Sequence, residues 1–136
     1  MVRNSLKRKT LPAALGLCLT LATSGCAIFV AGSLGALGGY VASPDTVEGV
    51  ITDTSYAEVW SAAIDVIAIM GVIEERNDVG GMLLCKVQGA KVTITIFRST
   101  SDAIKISVKS RKAFFPKIKL SQDIYIKIVD HVIQRR

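Results

Sequence analysis

Histidine, cysteine, proline and aromatic residues are all scarce in this chain of 136 residues, which holds one His, three Cys, three Pro and 6% aromatics. Three cysteines are too few to staple a small fold with disulfides. A lone His131 excludes metal sites built on His pairs, and it leaves any Ser-His-Asp or Cys-His arrangement a single ring to recruit. Scarce proline and the lack of any period of about 20 to 50 residues exclude repeat architectures. Charge is missing too, but only locally: residues 10–44 contain none, while Arg3, Lys7, Arg8 and Lys9 crowd the first ten positions. What the chain does have is aliphatic. Its hydrophobic fraction of 50% is spread too evenly for disorder, and its length suits one folded domain.

The first 25 residues have the layout of an export signal. Four cations are followed by an apolar run of 11 residues, 11–21, which is too short to cross a bilayer alone, and then by the small residues Ala22, Thr23, Ser24 and Gly25. Thr23, Ser24, Gly25 and Cys26 together resemble the lipobox of bacterial lipoproteins, in which the Cys thiol is acylated and becomes the first mature residue. An ordinary secretory signal cut after Ser24 and an uncleaved signal anchor are the competing readings. The anchor reading draws on the uncharged stretch resuming after Cys26. Cys18, behind Leu17, reads as one more apolar residue of the signal. Two or three acyl groups make a stable attachment where one does not. Ala27 stands where Asp would favour inner-membrane retention, so the resemblance favours the periplasmic leaflet of the outer membrane. Removing residues 1–25 leaves 13 Lys+Arg against 11 Asp+Glu, so the formal net charge of +6 falls to +2.

Residues 26–44 read as a lipidated, Gly/Ala-rich apolar tether. Gly32 with Ala36, and Gly35 with Gly39, have the spacing that lets membrane helices approach closely. No Lys-Ser/Thr closes a phosphate-binding loop there. Tyr40 suits a membrane interface.

From residue 45 the pattern becomes that of a compact α+β periplasmic domain, 45–136. A strand over 47–52 precedes a helix over 56–70, where Ser55 and Glu58 have capping-box spacing. Tyr56, Val59, Trp60, Ala63, Ile67 and Met70 share its inward face, Ala62 faces outward, and Gly71 ends it in a left-handed cap. Strand-like runs follow over 72–77, 82–87, 91–98 and 103–110, with period-two alternation clearest in the last two. A final helix over 121–134 takes Ser121 as N-cap and Ile124, Ile128, Val129 and Val132 as its apolar stripe, with Arg135 and Arg136 at its negative end. The expected architecture is an antiparallel sheet of four to five strands with two helices packed on one face, in the order β-α-β-β-β-β-α.

Cys26, the Gly/Ala-rich leader, Val59-Trp60 with Ala62-Ala63, residues 78–81, Gly89 with Lys91 to Ile94, and Leu120 to Tyr125 follow one another in an order that resembles a family of small Gram-negative envelope lipoproteins. That family is catalogued as domain of unknown function 3568. The resemblance implies location and fold and no activity. At 111–117, where the family pattern has a Gly- and acid-containing turn, this chain reads Arg-Lys-Ala-Phe-Phe-Pro-Lys.

No catalytic, cofactor or metal site emerges. Glu74 and Glu75 are adjacent on a strand and point to opposite faces. Cys85, among Leu83, Leu84 and Val87, reads as a buried small hydrophobe. The stretch with functional content is basic: Lys105, Lys109, Arg111, Lys112, Lys117 and Lys119 surround Phe114 and Phe115, with no acid between residues 103 and 122. Its expected partners are anionic lipid, peptidoglycan carboxylates or an acidic envelope protein. Nucleic acid is excluded by the compartment and by the lack of stacking aromatics. The reading is a non-enzymatic, lipid-anchored envelope lipoprotein with a structural or protein-interaction role. The alternative is a binding module for a small apolar or anionic ligand.

Overall fold

A computed structural model of the protein describes residues 29–31, as backbone, and 40–135. Cys18, Cys26, the glycine pairs of 32–39 and Arg136 lie outside the described residues. The strands are β1 (Phe29–Ala31), β2 (Tyr40–Ala42), β3 (Thr46–Thr52), β4 (Gly71–Asn77), β5 (Met82–Val87), β6 (Ala90–Thr100), β7 (Ala103–Lys112) and β8 (Phe115–Pro116). The helices are α1 (Tyr56–Met70), between β3 and β4, and α2 (Ile118–Gln134), after β8. All strand pairings are antiparallel, in the order β1-β2-β3-β7-β6-β5-β4, with β8 beside the end of β7. The α+β class is as expected. The strand count and order differ, because two short strands precede β3 and β8 intervenes before the last helix. The sheet therefore starts well before residue 45, inside the segment expected to be tether.

Local chemistry explains most boundaries. Ser55 Oγ accepts from the Glu58 amide at 3.2 Å, and Glu58 Oε2 accepts from the Ser55 amide at 2.9 Å, closing the capping box of α1. Gln88 and Gly89 both have positive φ, at 52° and 74°, and join Val87 to its partner Ala90. That is the backbone of a two-residue hairpin matched to strand twist. Two corrections concern helix ends. Gly71 caps α1 with extended backbone and not in the left-handed region; what requires glycine is that a Cβ would collide with the carbonyl oxygen of Lys86 on β5. The last helix begins at Ile118, three residues earlier than expected, and Ser121 is not its cap.

Inward residues alternate along β3, β5, β6 and β7, and both helices pack on that side in one cluster. Ala62, expected to face outward, is fully buried with Val66 on α1. A methyl there fills space between close elements that a larger side chain would overpack. Tyr125 of α2 lies over Gly49 of β3, where any Cβ would overlap its ring, and its ring centroid is 5.4 Å from that of Tyr40. Tyr40 is thus half-buried against the core and not free for a membrane interface, and it fastens β2 to the sheet.

Ser110 and Ser121 are the two polar residues among the buried ones described. Their hydroxyls are 2.6 Å apart; Ser110 Oγ lies 2.6 Å from the Lys117 carbonyl oxygen and Ser121 Oγ 3.2 Å from that of Asp45. Two protons serve three contacts, so the pair runs as a short relay ending on one carbonyl or the other. The Ser110 amide donates to the Asp45 carbonyl at 3.0 Å, and the Lys117 amide to the Ser110 carbonyl at 3.0 Å. We predict that Ser121→Ala costs about 1–3 kcal/mol, because it leaves Ser110 with a poorer partner set in a dry site. In urea titrations the Ser110→Ala/Ser121→Ala double variant should lose less than the sum of the singles.

Candidate functional site

The six cations of the basic stretch divide into two groups once β3 is placed beside β7. Lys105 Nζ lies 2.9 Å from Glu48 Oε2 and 5.6 Å from the centre of the Phe97 ring. Lys109 Nζ is 3.6 Å from Asp45 Oδ2, and Arg111 Nε donates to the same oxygen at 2.6 Å. These three side chains stitch β7 to the start of β3. Asp45 also accepts from the Thr46 hydroxyl at 2.8 Å, the strongest influence holding its carboxyl below the ordinary value, followed by Arg111 and Lys109; burial opposes them. Hydrogen bonding from Lys105 leads the downward shift at Glu48, again against burial. The partners of half the basic stretch are therefore acids some sixty positions away in sequence, a pairing that only β-sheet register could reveal.

The other three cations, Lys112, Lys117 and Lys119, have no acid within ion-pair distance among the described residues. Between them β7 and β8 form a hairpin in which Lys112 pairs with Phe115, so Ala113 and Phe114 make its turn. Ala113 has φ 53°, a backbone state that costs a residue with a Cβ and is sustained by its surroundings. The turn carries Phe114 out at 93% exposure and Phe115 at 73%. An open groove beside it is lined by Gln88, Pro116, Lys117, Ile118, Lys119, Leu120 and Asp123. The result is an unpaired cationic rim around a protruding apolar tip. That combination suits an anionic surface with an apolar interior more than an anion alone.

The remaining chemistry-bearing side chains are scattered. Cys85 is fully buried, and its thiol is pushed up to about 11, first by burial and then by Glu74. Glu74 sits at a bulge between Ile73 and Glu75 on the edge strand β4, and both glutamates are exposed. His131 Nε2 is 3.4 Å from Asp65 Oδ2, which accepts from Arg135 at 2.6 Å, while Arg135 also donates to Ser61 at 3.2 Å. Arg135 thus joins α2 to α1, in addition to lying near the helix end. The groove holding His131 is lined by Val66, Ile69, Met70, Lys127, Asp130 and Gln134, and Cys85 is not on it. Among the described residues no three His, Cys, Asp or Glu side chains gather as metal ligands. No described helix is long and apolar enough to cross a membrane.

No protein-family model matches the chain, and no curated protein matches it. Its own residues carry the functional reading.

Two outcomes are expected. Because Asp45 and Glu48 titrate below their ordinary values in the fold, their contribution is complete above the ordinary carboxylate range, about pH 4–5, and is lost as pH falls through the lower folded values. Asp45, whose side chain is 14% exposed against 41% for Glu48, should dominate, so Asp45→Asn flattens the acid limb of stability against pH in urea melts. Cys85 should resist alkylation in the native protein and label readily in denaturant; rapid native labelling would count against its burial.

Proposed function

We propose that the protein is a lipid-anchored periplasmic lipoprotein of the Gram-negative envelope, without catalytic activity, whose domain acts through surface contacts in envelope structure or protein interaction. One observation carries the reading: Cys26 follows Thr23-Ser24-Gly25 at the end of a cationic and then apolar leader, the order that acylation and cleavage require. The resemblance to envelope lipoproteins of unknown function points the same way, and Ala27 favours the outer membrane.

The domain itself supports a contact role. Its interior is filled by interlocking aliphatic side chains from both helices and the inward face of the sheet. Its grooves at 117–123 and between α1 and α2 are open, while Lys112, Lys117 and Lys119, which have no acid within ion-pair distance among the described residues, stand close in sequence to the two most exposed aromatic rings, Phe114 and Phe115. That pattern fits docking better than enclosure of a small molecule.

Palmitate fed to a Gram-negative host expressing the full chain should label the wild-type protein and not Cys26→Ala, and the wild-type mass should correspond to a chain starting at Cys26. Equal labelling of both proteins would overturn acylation at Cys26; an unlabelled chain cut after Ser24 would overturn the anchor in favour of a plain secretory signal, and an unlabelled chain keeping residues 1–25 in favour of an uncleaved one.

A further inference from the structure

We infer that the hairpin tip at Phe114 and Phe115, with Lys112, Lys117 and Lys119 around it, docks onto the same anionic bilayer that holds the acyl groups of Cys26, so that the domain stands on its basic end. The inference rests on the anchor proposed above and adds the orientation of the domain and the surface it uses.

Strand register supplies the geometry. Phe29 pairs with Ala42, Ala42 with Val47, and Val47 with Val108, so the first residue of β1 lies on the same cross-sheet row as Val108 of β7. β1 runs parallel to β3 and opposite to β7. The chain leading back from Phe29 towards Cys26 therefore leaves the sheet at the end where β7 runs forward to Arg111 and Lys112. Three residues reach at most about 10 Å, so Cys26 stays close to that end whatever path the connection takes. Four residues beyond Val108, Lys112 and its partner Phe115 stand roughly 13 Å along the same direction. Three strand spacings of about 4.8 Å separate β1 from β7, placing the hairpin roughly 14 Å to the side of the attachment. Acyl chains and hairpin tip thus meet one plane together.

The chemistry of the tip matches that plane. Phe rings partition into the region between headgroups and acyl chains, and lysines with flexible stems keep their ammonium groups among the phosphates. Arg111 is committed to Asp45 and is left out of the proposed contact. At the opposite end, Val79 is fully exposed in the turn between β4 and β5, and the neighbouring Arg76 is paired with Asp78, so among the described residues this turn has no comparable cluster of lysines.

The test uses the full chain, purified from a Gram-negative host and reconstituted into vesicles of phosphatidylethanolamine and phosphatidylglycerol brominated near the top of the acyl chains. Two variants are compared, Phe115→Trp and Val79→Trp. The native Trp60 is 8% exposed and contributes the same background to both. The Phe115→Trp protein should lose most of its added emission relative to unbrominated vesicles, and the Val79→Trp protein should lose none. Replacing Lys112, Lys117 and Lys119 together by Gln should reduce the loss at position 115. Intact mass on the same preparation reports acylation separately. Acylated protein whose Phe115→Trp emission is unquenched, or is quenched no more than at position 79, overturns the docking and leaves the anchor standing. A chain with no acyl group on Cys26 overturns the anchor and the docking with it. Unchanged quenching in the triple Gln variant overturns the role of the lysines.

Discussion

Two buried hydroxyls, those of Ser110 and Ser121, hold together the end of the molecule on which its surface chemistry depends. The other buried residues described are hydrophobic or glycine, and a hydroxyl among them is tolerable only when it is paired. Their contacts fall on four pieces of chain at once: the end of β7, the start of α2, the carbonyl of Lys117 between them, and the carbonyl of Asp45 just before β3. Sliding either strand or helix by one residue would bury an unpaired oxygen, so the relay sets a register that apolar packing alone leaves loose. Outside the core the same Asp45 receives Arg111, Lys109 and Thr46 on its carboxylate. The loop from 111 to 117 consequently springs from a fixed base, and its strained turn at Ala113 is carried by that base.

Local patterns made part of this fold legible. The capping box announced α1, and its span of 56–70 followed from the apolar periodicity and from Gly71. The alternation of β6 and β7 was equally plain, since each presents one aliphatic and one polar face. The start of α2 was not legible, because a Ser ahead of an apolar stripe reads as a cap by propensity. One signal pointed the other way: Ile118, Ser121, Ile124, Tyr125, Ile128 and Val132 recur at helical spacing, which puts Ser121 on the inward face. Ser110 likewise continues the inward series of Ile104, Ile106 and Val108. A serine in phase with a buried stripe signals a polar contact inside the core, and two of them signal each other.

The candidate site was half legible for a different reason. A run of six cations with no nearby acid looks uniformly free in one dimension. Antiparallel pairing of β3 with β7 brings Asp45 and Glu48 alongside and removes Lys105, Lys109 and Arg111 from the free set. No local rule reports on such a pairing, since it depends on strands separated by a helix and three other strands. What survives is a smaller feature of sharper character, three lysines around two exposed rings.

The short strands β1 and β2 change what attachment at Cys26 would mean. A free leader of nearly twenty residues would let a domain sample many orientations at a membrane, and any weak surface contact would be diluted by that freedom. Pairing of Phe29–Ala31 with Tyr40–Ala42, and of the latter with β3, ties the chain to the sheet from Phe29, three residues after Cys26. The pairing is anchored in the core through Tyr40, whose ring packs on Tyr125 above Gly49. The aromatic contact on α2 therefore bears on the proposed membrane geometry: it holds β2, β2 holds β1, and the first residue of β1 lies at the end of the sheet that carries the basic hairpin. With acyl groups on Cys26, as proposed, a second contact at such short range need only be weak to fix orientation, because the anchor would already supply the local concentration.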